Sequence, residues 1–347
     1  MDKPLRTEIA ALGEFGLIDR ICSRFTAWSG RTVKGCGDDA AVIDAGDRYL
    51  LLSTDLLLEG VNFDLTYFPL KHLGFKAVVT GISDILAMNG TPRQVMLALG
   101  LSSRFSVEMV DEFYEGVKYA CDAYRVDLAG GDTSASVNGL TIAVTAAGDV
   151  PKDRIAYRSG ARPNDLICLS GDLGAAYMGL HLLEREKRAL DGHPNPEPKF
   201  EGHEYILKRQ MKPDARLDIV EELAGSDIVP TSMIDLSDGL SSDLLHLCKS
   251  SDKGARIYLN RLPIAQQTYA MAEELNIDPV VAALNGGDDH ELLFTVPLSK
   301  QQEVFALGID VIGHITEPGT GVMLVTPDGQ EIPIQAPGWT RDGTLQK

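Results

Sequence analysis

Ser232-Met233-Ile234-Asp235-Leu236-Ser237-Asp238-Gly239-Leu240-Ser241 opens as an apolar strand, turns on two aspartates and a glycine, and runs on into a helical pattern that begins at Ser241. A strand leading through a polar turn into a helix is the repeating unit of α/β proteins. Such turns gather at the ends of strands, where clefts form. Related arrangements recur along the chain. Tyr49 to Leu52 leads into Ser53-Thr54-Asp55, and Val126 to Ala129 leads into Gly130-Gly131-Asp132-Thr133. Gly37-Asp38-Asp39 precedes the apolar run Ala40 to Ile43, and Gly286-Gly287-Asp288-Asp289 precedes Leu292 to Val296. Ser83-Asp84 lies inside the helical pattern from Leu70 to Met88, among Ile82, Ile85 and Leu86.

These carboxylates are the feature to explain. Two of them about 4 Å apart repel by roughly 4 kcal/mol at an effective dielectric near 20, so a cleft that gathers several needs bound cations. Hard oxygen ligands without a cysteine or histidine cluster suit Mg²⁺, which usually completes its shell with water and substrate phosphates. The pattern therefore predicts a metal-dependent phosphoryl enzyme. Each motif also has a plainer reading. Ser53-Thr54-Asp55 could be a strand-end turn, Asp84 a buried acid paired with arginine, and Gly130-Gly131 a hairpin. A capping role explains one of Asp235 and Asp238 but not both.

The chain has 347 residues, 44% of them hydrophobic and 24% charged, enough for one large or two ordinary domains. A net charge of -18 argues against nucleic-acid and anionic-membrane binding, because no excess of basic side chains is present to displace phosphate counterions. No run of about 18 apolar residues occurs and residues 1–16 lack the apolar segment of a secretory signal, so the expected compartment is the cytoplasm. Cys22, Cys36, Cys121, Cys168 and Cys248 show no C-x-x-C pair and read as buried free thiols. The P-loop, protein-kinase, H-E-x-x-H and G-x-S-x-G signatures are absent.

Strand-like runs near 48–53, 94–101, 139–147, 165–169 and 231–235 alternate with helical patterns over 70–88, 107–124, 175–188, 241–250 and 264–275, a mixed α/β (α+β) arrangement. Ser106 is the expected cap of its helix. The stretch from Asp149 to Asp165, rich in charge, Pro and Gly, marks a boundary between domains at 1–150 and 151–347.

Taken in order, Gly13-Glu14-Phe15, Gly37-Asp38-Asp39, Ser53-Thr54-Asp55, Ser83-Asp84-Ile85, Gly130-Gly131-Asp132-Thr133, Arg158-Ser159-Gly160, Asp235-Leu236-Ser237-Asp238-Gly239 and Gly286-Gly287-Asp288-Asp289 resemble the motifs of the thiamine-monophosphate kinase family from about residue 13 to 340. The resemblance implies the two-domain PurM-like fold shared with aminoimidazole ribonucleotide synthetase. Its amino-terminal ATP- and Mg-binding domain would form a homodimer through its β-sheet, and its carboxy-terminal α/β domain would close the cleft. It implies transfer of the γ-phosphoryl group of ATP to thiamine monophosphate, giving thiamine diphosphate. It also implies several Mg²⁺ ions on Asp39, Ser53, Thr54, Asp55, Asp84, Asp132, Asp235 and Asp238, with Asp55, Asp84 and Asp132 catalytic through the metal and no general base. Nucleotide contacts would come from Gly131, Asp132, Arg158 and Ser237, and substrate contacts from Asn62, Asp288 and Trp339. Asn62 stands where the family commonly has histidine, Asp288 where glutamate is usual and His290 where tyrosine is usual. An aminoimidazole ribonucleotide synthetase-like activity or a non-catalytic nucleotide- or thiamine-phosphate-binding protein are the alternatives.

Overall fold

A computed structural model describes residues 11–192 and 197–336. Six strands build the first sheet: β1 (Thr32–Lys34), β2 (Ala41–Asp44), β3 (Arg48–Leu58), β4 (Thr91–Leu101), β5 (Asp127–Ala135) and β6 (Leu140–Pro151), in the order β1-β2-β3-β6-β4-β5. Only β4 and β5 run parallel. Seven more build the second: β7 (Leu166–Leu169), β8 (Ser232–Asp235), β9 (Gly254–Tyr258), β10 (Leu292–Val296), β11 (Asp310–Thr316), β12 (Val322–Val325) and β13 (Glu331–Pro333). Their order is β13-β12-β9-β11-β7-β10-β8, so β8, which carries Asp235, forms an edge. The helices are α1 (Gly13–Cys22), α2 (Leu70–Ala87), α3 (Val107–Tyr124), α4 (Ala175–Leu190), α5 (Glu204–Met211), α6 (Leu217–Gly225), α7 (Leu240–Ser251), α8 (Gln266–Leu275), α9 (Pro279–Asn285) and α10 (Gln301–Ala306).

β6 shows why this is a one-sided sheet. Its residues alternate between buried and half-buried along its whole length, with Ile142, Val144 and Ala146 facing inward. Against that face lies α2, a largely buried helix that also touches β8 of the second sheet. One continuous apolar core therefore runs from the first sheet through α2 and α3 to Met233, Leu292 and Phe294. A second core lies behind β9, β10 and β11 under α7 and α9, and a third joins α4, α5 and α8.

α2 and α3 approach backbone to backbone because glycines meet where they cross. A Cβ on Gly74 would lie 2.0 Å from the Phe113 carbonyl oxygen, and one on Gly116 would lie 1.8 Å from that of Lys71. α3 spans the expected residues, and Ser106 Oγ accepts the Met109 amide at its start. α7 differs from expectation in that its cap is Gly239, at φ 106°, and Ser241 is buried inside the first turn. Gly130-Gly131-Asp132 is not a turn: it lies within the edge strand β5.

The cysteines also correct the sequence reading. Cys22, at the end of α1, is disulfide-bonded to the exposed Cys36 beside the Gly37-Asp38-Asp39 turn, with Cα atoms 6.3 Å apart. Cys168 and Cys248 are buried free thiols, and Cys121 is half-buried. A separation of 14 residues gives no hint of the pairing, which depends on how the chain returns after α1. The crosslink restricts the unfolded chain, so Cys22→Ser is expected to lower stability by about 3 kcal/mol in urea denaturation. A reductant should do the same to the wild-type protein, and equal midpoints in all three cases would refute the crosslink.

Candidate active site

Three segments far apart in sequence deliver carboxylates to one point. Asp39 lies between β1 and β2, Asp84 in the last turn of α2, and Asp235 at the end of β8, and one carboxylate oxygen from each lies within 4.8 Å of the others. α2 reaches the strands because Gly81 is a glycine: a Cβ there would sit 2.8 Å from a Val144 methyl. Ser53 Oγ donates to the Gly81 carbonyl at 3.1 Å, fixing helix to strand. Ser83 Oγ, one residue before Asp84, donates to Asp235 Oδ2 at 2.5 Å and so ties the second sheet to α2.

The electrostatics follow from this crowding. Burial raises Asp39, whose side chain is wholly hidden, while Arg158 opposes the rise through Nε at 3.2 Å and Nη2 at 2.6 Å. Burial, then repulsion from Asp55, Asp235 and Asp39, places Asp84 well above the usual carboxylate range. Asp55 is pushed up to about 6 by burial and by the charge of Asp39. Asp235 is pushed up to about 7 by burial, then by Asp39. Asp38 rises to about 6, chiefly through burial, while its Oδ1 accepts the Arg158 amide at 2.9 Å. The buried Oδ2 atoms of Asp38, Asp39 and Asp55 have no hydrogen-bond partner among the described residues. Asp38 Oδ2 has the Lys34 ammonium 3.8 Å away, whereas the buried Oδ2 atoms of Asp39 and Asp55, hard donors beside like charges, fit a divalent cation of the Mg²⁺ type.

The remaining predicted site residues fall into two groups. Asp238 is exposed just ahead of α7, and its amide donates to Asp243 Oδ2 at 3.2 Å. Asp243, buried in the first turn of α7, is a member of this acidic region that sequence reading missed, although its place five residues after Asp238 in the same motif was visible. Ser237 is exposed, and its carbonyl accepts the Asp288 amide at 2.8 Å. Asp289 is structural: buried, it accepts the Gly174 amide at the start of α4 through both oxygens, at 3.2 and 3.0 Å.

Thr54 and Asp132 do not reach the cluster within this chain. Strand alternation turns Thr54 away from Ser53 and Asp55, and its hydroxyl pairs with that of Thr145 at 3.2 Å on the open face of the sheet. Asp132 is exposed on β5, in the register row Leu56, Ala143, Ala98, Asp132, three strand spacings or about 14 Å from β3. Gly131 has a packing reason to be glycine, since a Cβ would lie 2.0 Å from the Leu97 carbonyl oxygen. A groove of about 430 Å³ runs beside it, lined by Tyr114, Leu128 and residues 129–133. Asn62 is exposed and closes the turn after β3, accepting the Leu58 amide at 2.9 Å. Trp339 lies outside the described residues.

Comparison with known proteins agrees with this geometry. Residues 37–150 match the family model "AIR synthase related protein, N-terminal domain". The chain is 34% identical to the thiamine-monophosphate kinase of Aquifex aeolicus, covering 94% of this chain and 97% of that protein. It is likewise 34% identical to the thiamine-monophosphate kinase of Escherichia coli K12, covering 96% and 95%. The solved structure of "AaThiL complexed with AMPPCP and TMP" superposes with a TM-score of 0.82 at 34% identity, over 97% of this chain and 99% of that one. Relatives of this similarity along nearly the whole chain, together with the meeting of Asp39, Asp84 and Asp235, establish that the chain belongs to the thiamine-monophosphate kinase family.

Proposed function

We propose that the protein transfers the γ-phosphoryl group of ATP to thiamine monophosphate, producing ADP and thiamine diphosphate. The observation that carries this reading is the convergence of three carboxylates within 4.8 Å, beside unpartnered buried oxygens and Arg158. Asp39, Asp84 and Asp235, with Asp55 alongside, would hold Mg²⁺, which supplies charge neutralisation and alignment for crowded phosphates. An oxygen of the acceptor phosphate attacks the γ-phosphorus as the bond to the β,γ-bridging oxygen breaks, and ADP leaves with that electron pair. The attacking oxygen is already ionised, so no side chain need remove a proton. Arg158 contributes the fixed positive charge next to Asp39, and Ser83 keeps Asp235 in place. We assign Gly131, Asp132, Arg158 and Ser237 to the nucleotide and Asp288 to the acceptor, with Asn62 and Trp339 at the acceptor side.

The remaining parts of the reading are these. Residues 1–150 and 151–347 act as two domains meeting at α2. The first sheet pairs with a second copy through its open face, where Leu56 and Met96 are 56% and 45% exposed. Thr54 and Asp132 lie on that face. Among the described residues no helix is long and apolar enough to cross a membrane, and we assign the protein to the cytoplasm. The test is ADP release from MgATP with and without thiamine monophosphate, with chromatography of the product. Acceptor-dependent ADP matched by thiamine diphosphate and abolished by EDTA is expected. Binding without turnover would point instead to a carrier of nucleotide or thiamine phosphate.

A further inference from the structure

Lys76 lies on α2 eight residues before Asp84, about 12 Å along the helix axis. Its neighbours on the helix, Phe75, Ala77 and Val78, belong to the apolar core, and its own side chain is only 3% exposed. An ammonium group taken out of water costs several kcal/mol unless it is well paired. Here it donates to Asp288 Oδ2 at 3.0 Å and to the Gln210 carbonyl at 3.1 Å.

The partner is the informative member. Lys76, Gln210 and His290 are all buried, whereas the Asp288 side chain is 42% exposed. Lys76 engages Oδ2 of Asp288. The other oxygen, Oδ1, lies 3.8 Å from His290 Nε2, beyond hydrogen-bonding distance, and neither ring nitrogen of His290 has a partner among the described residues. The segment also holds unusual backbone. Asp288 and His290 both adopt positive φ, 60° and 52°, on either side of Asp289. Left-handed backbone costs a non-glycine residue about 1 kcal/mol or more, and it persists where surrounding structure enforces it, often at functional sites. The enforcing bonds are Asp288 N to Ser237 O at 2.8 Å and His290 N to Leu236 O at 2.9 Å, which hang the segment from the turn after Asp235. Asp288 is thus fixed from below by its main chain and from the side by Lys76, with the Gln210 side chain also against its carboxylate and Oδ1 outside the reach of Lys76.

We infer that Lys76 is a positioning residue for the acceptor: it holds Asp288 by one oxygen and leaves the other to accept an N–H of the acceptor's organic part. This rests on the phosphoryl-transfer reading above. The chemistry it selects is a nitrogen heterocycle carrying an amino group, such as an aminopyrimidine, joined to a phosphate by a spacer. The adenine ring of the nucleotide is not the group it serves.

Steady-state kinetics of the full chain test this, varying thiamine monophosphate and ATP separately. A charge-assisted hydrogen bond to the acceptor corresponds to a change of about 10-fold to 100-fold in affinity. Lys76→Met is therefore expected to raise KM for thiamine monophosphate at least about tenfold, with KM for ATP and kcat each within about threefold of wild type. Asp288→Asn should do the same, and the double variant should be no worse than the poorer single one, because the two residues act as a unit. An unchanged acceptor KM, an equal rise in the KM for ATP, or additive effects would each overturn the inference. If Lys76→Met does not fold, Asp288→Asn carries the test, since its amide oxygen still accepts from Lys76. Calorimetric Kd values for thiamine monophosphate are measured in parallel. An inactive wild-type protein would then defeat the phosphoryl-transfer reading, while the Kd comparison would still decide the role of Lys76.

Discussion

Replacing Asp84 with asparagine is expected to leave a folded protein whose turnover falls about 10³-fold or more, the scale seen when a group that stabilises transition-state charge is removed. The two side chains have nearly the same shape, so α2 and its packing should persist. What changes is the chemistry presented to the cluster, because an amide offers one neutral oxygen and one N–H donor where a carboxylate offers two anionic oxygens. The variant should also be at least as stable as the wild type without metal. Asp84 is ionised there only against burial and the charges of Asp55, Asp235 and Asp39, so neutralising it relieves repulsion. Asp55→Asn should behave likewise, since it lies on the same face of β3 as Ser53 and its Oδ2 is buried without a partner. ADP release and a thermal melt on the same sample decide the matter. Activity within tenfold of wild type in either variant would count against the cluster as the reaction centre.

A second large effect is expected from Mg²⁺, and its size should depend on pH. Asp235 sits near 7 and Asp84 well above the usual range, whereas both have ordinary carboxylate values in the unfolded chain. Between pH 6.5 and 8 the native state therefore holds more protons than the unfolded state, and stability without metal falls as pH rises. The buried His290 and half-buried His246 offset this only in part. His290 and His246 are lowered to about 4 and act in the opposite sense, but their unfolded imidazoles are already half deprotonated at about pH 6.5 and nearly neutral by about pH 7.5, so their part is confined to the start of the interval. One proton's difference across that interval corresponds to about 2 kcal/mol. Saturating Mg²⁺ binds the ionised carboxylates and stabilises the native state by mass action. The rise in melting temperature on adding MgCl₂ should thus be several degrees larger at pH 8 than at pH 6.5. A flat EDTA profile with equal increments at both pH values would show that these carboxylates neither share protons nor bind the metal.

The elements legible in the sequence were those with an unbroken period. α3 spans residues 107–124 as its apolar spacing and Ser106 indicate, and α2 follows the run from Leu70 almost to its end. Asp39, Asp84 and Asp235 were legible because each is an acid set against apolar surroundings, an arrangement that needs a partner. Sidedness was not legible. Ser53, Thr54 and Asp55 are adjacent in sequence, yet alternation along β3 sends the middle one to the opposite face. Asp132 is displaced for a related reason: the topology inserts β6 and β4 between β3 and β5, which no local pattern records. Lys76 was hidden by its setting, since a lysine in an amphipathic helix ordinarily points to solvent. Only the return of residues 286–291 onto β8 makes it a buried cation.

The crossing of α2 and α3 also decides which part of the protein can move. Carbonyl oxygens of Phe113 and Lys71 fill the space that side chains on Gly74 and Gly116 would take, and Ser53 fastens α2 to the strand beneath. An interlock of main chain against main chain has no slack for sliding or rolling. The helix behaves as a fixed rail bearing two marks, Lys76 and Asp84, about 12 Å apart. The turns at 235–239 and 286–291 are fastened to the same rail, the first by Ser83 on Asp235 and the second by Lys76 on Asp288. Both turns are accordingly referred to a single helix, set before any ligand arrives.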